Sequence, residues 1–249
     1  MYAANRWVRR VPALVAVAAT LAASPAAAGT SAPVPLSPLS DLVAAAARLP
    51  ESARDPLAPF HLRLGATMSD VSRVTSAEVR GELRSNRERY VHLGMTAADA
   101  LGQAAFRGPS GLPVLDGDFF FHDGEKLVEA TFLLESPAGP DEAREAMRRC
   151  LGQPSFTVTL PAGGAELVGW RSGPGYVIAT FNDLPVFRVS VFPDRRADVF
   201  AGSQILLFEG LQRFHDRLAA GDAPSTLLDD LMRVFTGANS ARSQVERIR

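Results

Sequence analysis

The sequence predicts an α+β fold: a short antiparallel sheet with helices packed on one face, plus a C-terminal helical pair. Three observations carry this. "GDFFFHDGEKLVEATFLLE" reads as two strands around an Asp-Gly turn. Three later runs, Glu166 to Arg171, Tyr176 to Asn182 and Val186 to Phe192, are separated by the turn clusters "SGPG" and "NDLP" and read as a three-stranded meander. Two amphipathic stretches then close the chain, with no strand signal between them.

The chain opens with Arg6, Arg9 and Arg10, an apolar run from Val11 to Ala23, and the small residues "SPAAAGTSA". Ala26 and Ala28 fit an A-x-A cleavage site, so residues 1–28 read as a secretory signal peptide with the mature start near Gly29. The run has about 13 residues, short of the roughly 20 that a membrane-spanning helix needs. No other stretch is long and apolar enough to span a bilayer. The expectation is export, to the periplasm or the medium. Residues 29–59 form a Pro- and Ala-rich linker, with one short helix from Asp41 to Arg48 that Ser40 caps and Pro50 ends.

An α+β domain is expected over residues 60–200. Thr67 to Val74 reads as a short helix. Over residues 75–90 the pairing of Thr75 with Glu78 as a capping box, and the spacing of Val79, Leu83 and Tyr90, favour another helix. A polar hairpin turning at Ser85-Asn86 is the alternative. Gly94 then ends the incoming segment, Thr96 caps a helix from Ala97 to Phe106, and Asp99 faces its N-terminus. This stretch, "LGMTAADAL", resembles the earlier "LGATMSDVS", with Gly65, Thr67 and Asp70 at matching places. Neither copy is a phosphate loop, since each has one glycine and no following lysine. Both read as helix starts of one domain.

In the hairpin, Asp123-Gly124 forms the tight turn, and the expected pairs are Phe121 with Lys126, Phe120 with Leu127, and Phe119 with Val128. That register puts Phe119, Phe121, Val128, Ala130, Phe132 and Leu134 on a core face. Asp118, Phe120, Glu125, Leu127, Glu129, Thr131 and Leu133 take the other face, which is mixed, as on a sheet with one solvated side. A helix from Asp141 to Leu151 carries acids first and arginines last, with Gly152 and Pro154 as stops. Cys150, the only cysteine, shares its apolar stripe with Ala143, Ala146, Met147 and Leu151, which reads as core packing. The last meander strand alternates Phe187, Val189 and Val191 against Arg188 and Ser190. The helical pair occupies residues 201–236, with Leu207, Leu211, Phe214 and Leu218 as the first stripe, and residues 237–249 read as a polar, frayed tail.

From Leu64 to Pro193 the layout resembles SmpA/OmlA (BamE)-like bacterial envelope domains, a fold shared with the β-lactamase-inhibitor protein. The resemblance rests on Gly94-Met95-Thr96 with Asp99, on Leu151-Gly152-Gln153-Pro154 after a helix, and on Trp170 in a later strand. BamE-type members are anchored through a cysteine at the cleavage site. No cysteine lies near Gly29, so this chain resembles a non-lipoprotein variant. The resemblance implies an interaction module, mostly without catalysis.

Composition narrows the chemistry. Formal net charge is −1, and the leader holds three arginines and no acid, so the remainder stands near −4. That charge does not suit nucleic acid. Lys126 is the only lysine among otherwise arginine cations, a bias expected of a GC-rich bacterial genome. No Walker loop, GxSxG, HExxH, CxxC or GxGxxG occurs. His61, His92, His122 and His215 fall on separate elements, and Asp116, Asp118 and Asp123 lack EF-hand spacing, so no metal and no cofactor are expected. The candidate interaction surface is Phe120, Leu127, Leu133 and Trp170, with Trp170 read first as a core anchor. The expected function is an exported, non-catalytic module that binds a protein or envelope component through its sheet face or loops. A secreted enzyme inhibitor is the alternative, and a hydrolase with a dispersed triad the second.

Overall fold

The computed structural model describes residues 55–85, 88–95, 106–160, 164–243 and 246–248. The leader, the linker helix, residues 97–105 of the helix expected from Ala97 to Phe106, and the cap residues Thr96 and Asp99 lie outside the described residues; Phe106 itself is not helical.

Helix α1 spans Met68–Thr75. Thr67 caps it: its hydroxyl accepts from the Asp70 N–H, and the Asp70 carboxylate accepts from the Thr67 N–H. Strands β1 (Glu78–Ser85) and β2 (Glu88–Met95) follow as an antiparallel hairpin, closed by the Ser85–Glu88 pair. This corrects the helix expected over residues 75–90. Thr75 starts nothing: it is the last residue of α1, buried, with its hydroxyl bonded back to the Val71 carbonyl. Ser76 then turns left-handed and ends the helix. Val79, expected to line a helical stripe, is 61 % exposed on β1.

Strands β3 (Val114–His122) and β4 (Lys126–Glu135) form the expected hairpin. Asp123 (φ 52°) and Gly124 (φ 73°) both take the left-handed conformation, as a tight hairpin turn requires. The register differs from the expectation. His122 pairs with Lys126 and Phe121 with Leu127, and a bulge then puts Phe120 opposite Glu129. The extra residue inverts two side chains. Leu127 enters the main core, and Val128 turns to the opposite face.

Helix α2 (Pro140–Leu151) ends at Gly152, as its stop signals predict. Strands β5 (Phe156–Thr159), β6 (Glu166–Ser172), β7 (Gly175–Phe181) and β8 (Val186–Pro193) follow. The four-residue β5 has no counterpart in the sequence reading. Helices α3 (Val199–Ala219) and α4 (Pro224–Ser243) close the fold, and β9 (Glu246–Ile248) pairs with β1. Helix α4 thus runs through residues that read as a frayed tail.

All nine strands form one antiparallel sheet in the order β5-β6-β7-β8-β4-β3-β2-β1-β9. The α+β class holds, but the sheet is longer than the short one expected. Its topology is doubled: a helix and four meandering strands (α1, β1–β4), then a helix and four more (α2, β5–β8). The halves meet at the β4–β8 pair in the middle. The Gly65 and Gly94 turns do not mark this doubling. Gly65 precedes α1 at φ 83°, whereas Gly94 lies inside β2.

Helices also cover both faces rather than one. On the first face, α1 and α2 join the main core of Val91, Leu93, Phe119, Phe121, Phe132, Trp170, Val177 and Val189. On the second, α3 and α4 bury Phe156, Val158, Leu167, Tyr176, Ile178 and Phe192. An amphipathic helix needs an apolar face to cover, and β5–β8 supply one on each side.

Candidate functional site

The second face changes character along the sheet. Beneath α3 and α4 it is apolar over β5–β7. Over β8, β4, β3 and β2 it is mixed. Strand alternation places Arg188 and Ser190 of β8, Leu133, Thr131 and Glu129 of β4, Asp116, Asp118 and Phe120 of β3, and His92 of β2 on this side. Cross-strand pairing arranges them in rows. Thr180, Arg188, Leu133 and Asp116 form one row across β7, β8, β4 and β3. Ser190, Thr131, Asp118 and Gly94 form the next. Arg188 and Asp116 are exposed, and Leu133 between them is half-buried.

The second row is tied together by hydrogen bonds. Thr131 Oγ1 lies 3.2 Å from Ser190 Oγ and 3.3 Å from Glu129 Oε1, which also accepts from Gln204 Nε2 of α3 at 3.0 Å. His92 Nε2 meets Asp118 Oδ1 at 2.7 Å. Beside it, the Arg80 side chain fills the place that a Cβ on Gly94 would need, 2.8 Å from that position. Although the residue is exposed, surrounding groups partly desolvate the Asp116 carboxyl and, with the adjacent Asp118 carboxylate, push it above its ordinary value. The Gly117 N–H, Arg188 and Arg80 pull it back.

A third row runs under the start of α3. The His92 ring stacks on Phe120 at 4.7 Å, and Phe120 stacks on Phe200 of α3 at 4.6 Å. Phe200 meets Tyr90 edge-on at 4.8 Å, and Tyr90 stacks on His122 at 5.3 Å. Among the described residues, five of the eight buried polar or charged ones, His92, Glu129, Thr131, Asp198 and Ser203, sit where α3 meets the sheet.

The four residues expected to form one interaction surface are therefore divided. Leu127, 2 % exposed, and Trp170, 2 % exposed, pack in the main core on the first face. Trp170 is the core anchor, and its Nε1 donates to the Gly152 carbonyl at 3.0 Å. Phe120 is on the expected face but 5 % exposed beneath Phe200. Leu133 alone stays on the accessible row. The bulge removes Leu127, the α2–β6 packing takes Trp170, and α3 covers Phe120. Cys150 packs at the edge of the main core, partly buried, with Sγ 4.0 Å from Ser110 Oγ.

Asp198 was not singled out by the sequence reading. It caps α3, with Oδ1 accepting from Phe200 and Ala201 N–H at 2.9 and 3.1 Å. An Asp just before an apolar run is a cap signal, and it moves the start of α3 to Val199, ahead of the expected residue 201. The pairs Arg188–Leu133 and Asp118–Gly94 depend on long-range pairing and carry no local signal.

Among the described residues, no group of three or more His, Cys, Asp or Glu side chains converges to hold a metal ion. Asp116 lies near the start of β3, Asp118 at its middle, and Asp123 in the turn beyond its end. No described helix is long and apolar enough to cross a membrane. Compared with known protein families, curated proteins and solved structures, the chain matches none.

Proposed function

We propose that the protein is an exported, non-catalytic binding module that engages a protein or another envelope component through the open row of its mixed sheet face. The observation that carries this reading is the placement of Leu133. It is a half-buried apolar side chain between an exposed cation, Arg188, and an exposed anion, Asp116, on central strands of a rigid sheet. An apolar centre with a charged rim is how protein-binding patches are built. The leader-like N-terminus and the resemblance to envelope interaction domains support the same reading.

Affinity capture from bacterial envelope extract tests it. The full mature chain retains a partner. Leu133→Asp and Arg188→Glu each abolish retention, while Thr157→Asp, on the far edge strand β5, leaves it intact. Retention unchanged in both row variants would place the binding surface elsewhere.

A further inference from the structure

The start of α3 is joined to the sheet by an unusual set of oxygen atoms. The hydroxyl of Tyr90, a fully buried side chain of β2, lies 2.5 Å from Glu88 Oε2 and 3.3 Å from Asp198 Oδ2. A phenol has one hydrogen to donate, and the shorter contact assigns it to Glu88. The Tyr90 oxygen then turns a lone pair toward Asp198 Oδ2. Two lone pairs facing each other in a buried place repel, unless the carboxyl oxygen carries a proton of its own.

We propose that Asp198 holds α3 against the sheet as a neutral acid, donating from Oδ2 to the Tyr90 oxygen, so that the start of α3 is a latch that closes on proton uptake. The neutral form satisfies every contact. Oδ1 still accepts from Phe200 and Ala201 N–H, Oδ2–H donates to Tyr90, and Tyr90 donates to Glu88. When the proton leaves to solvent, a buried charge remains beside the Tyr90 oxygen and the Glu88 carboxylate. The titratable groups around it are Glu88 and Tyr90 of β2, His122 at the end of β3, Asp123 of the turn, and Asp198 itself. His122 Nδ1 stands 4.0 Å from Asp198 Oδ2, and its Nε2 lies 3.6 Å from Asp123.

Burial raises the Asp198 carboxyl above its ordinary value, opposed by the Ala201 and Phe200 N–H bonds, by His122 and by the Tyr90 hydroxyl. Burial likewise raises Tyr90, which keeps the phenol un-ionised. A raised folded-state value means that the folded chain binds the proton more tightly. The stabilisation is complete below the unfolded value of 3.8 and is lost as pH rises through the folded value. Release begins at Phe200 and Gln204, which cover Phe120 and Glu129 of the mixed face. The latch needs no partner, so it stands apart from the binding reading.

Two measurements on the full mature chain test it. Hydrogen exchange of amides 200–207, corrected for intrinsic rates, loses protection as pH rises above 3.8, by roughly tenfold for each pH unit that the carboxyl is raised. Asp198→Asn, which donates at all pH values, abolishes that dependence. Carboxyl-carbon NMR of the wild-type chain, which requires no variant, places the Asp198 midpoint above 3.8. Constant protection in the wild type, an unchanged pH dependence in Asp198→Asn, or a raised midpoint at Glu88 with Asp198 at its ordinary value would overturn the proposal.

Discussion

Phe120 of β3 and Phe200 of α3 stack at 4.6 Å with their ring planes 19° apart. That contact decides which part of the mixed sheet face is covered and which is open. Beyond it toward β8, α3 reaches the sheet through polar contacts such as Gln204 to Glu129.

Phe200 is the apolar anchor of the N-terminal turn of α3. Phe200→Ala removes its contacts with both Phe120 and Tyr90. We expect a loss of about 3–5 kcal/mol in chemical denaturation, the range for deleting a buried phenylalanine. Faster amide exchange at the start of α3 accompanies it, with exchange in β6 and β7 unchanged at short times.

Trp170 is the only tryptophan after the expected leader, since the other is Trp7. It is 2 % exposed and bonded to the Gly152 carbonyl. Without the expected leader, the chain therefore emits as a buried indole and resists acrylamide quenching. Trp170→Phe leaves the Gly152 carbonyl without that donor and costs about 1–3 kcal/mol. Red-shifted, readily quenched emission from the native chain would contradict this placement.

Much of this was legible in the sequence, and the failures have physical causes. The Asp123-Gly124 turn, α1, α2 and the β6–β8 meander depend on local chemistry: a left-handed turn, caps, stop signals and alternation. The β1–β2 hairpin was misread because Thr75 and Glu78 imitate a capping box. Nothing local reveals that Thr75 is already the buried end of α1. The bulge at Phe120 and Phe121 is likewise invisible, because Leu127 and Val128 are both apolar and either can serve the core. Of the candidate surface, only Leu133 survived in the open, because burial by α2 and α3 depends on parts of the chain distant in sequence.

Helices α3 and α4 pack closely at Gly210. A Cβ there would come within 2.3 Å of Val234 Cγ1. Gly210→Ala is expected to cost about 1–3 kcal/mol by overpacking. Val234→Ala in the same chain recovers much of that loss, and a double-mutant cycle from urea denaturation reads the coupling. Purely additive costs would show that the two helices do not meet there.

Asp70 accepts from both the hydroxyl and the N–H of Thr67, and these bonds hold its carboxyl below its ordinary value. A lowered folded-state value contributes stability above the unfolded pKa and loses it as pH falls through the folded value. Asp70→Asn therefore flattens the acid side of the stability profile. Thr67→Ala, which deletes the cap hydroxyl, costs about 1 kcal/mol at neutral pH. Thermal melts across the acid range check both.

The proposed binding row can be probed without knowledge of the partner. A benzoylphenylalanine photo-crosslinker at Leu133, with the same group at Thr157 on β5 as control, is illuminated in cells that express the full chain. We expect a discrete crosslinked species from position 133, absent from position 157 and lost when Arg188→Glu is added. No adduct at 133, or equal adducts at both positions, would contradict the assignment of this face as the working surface.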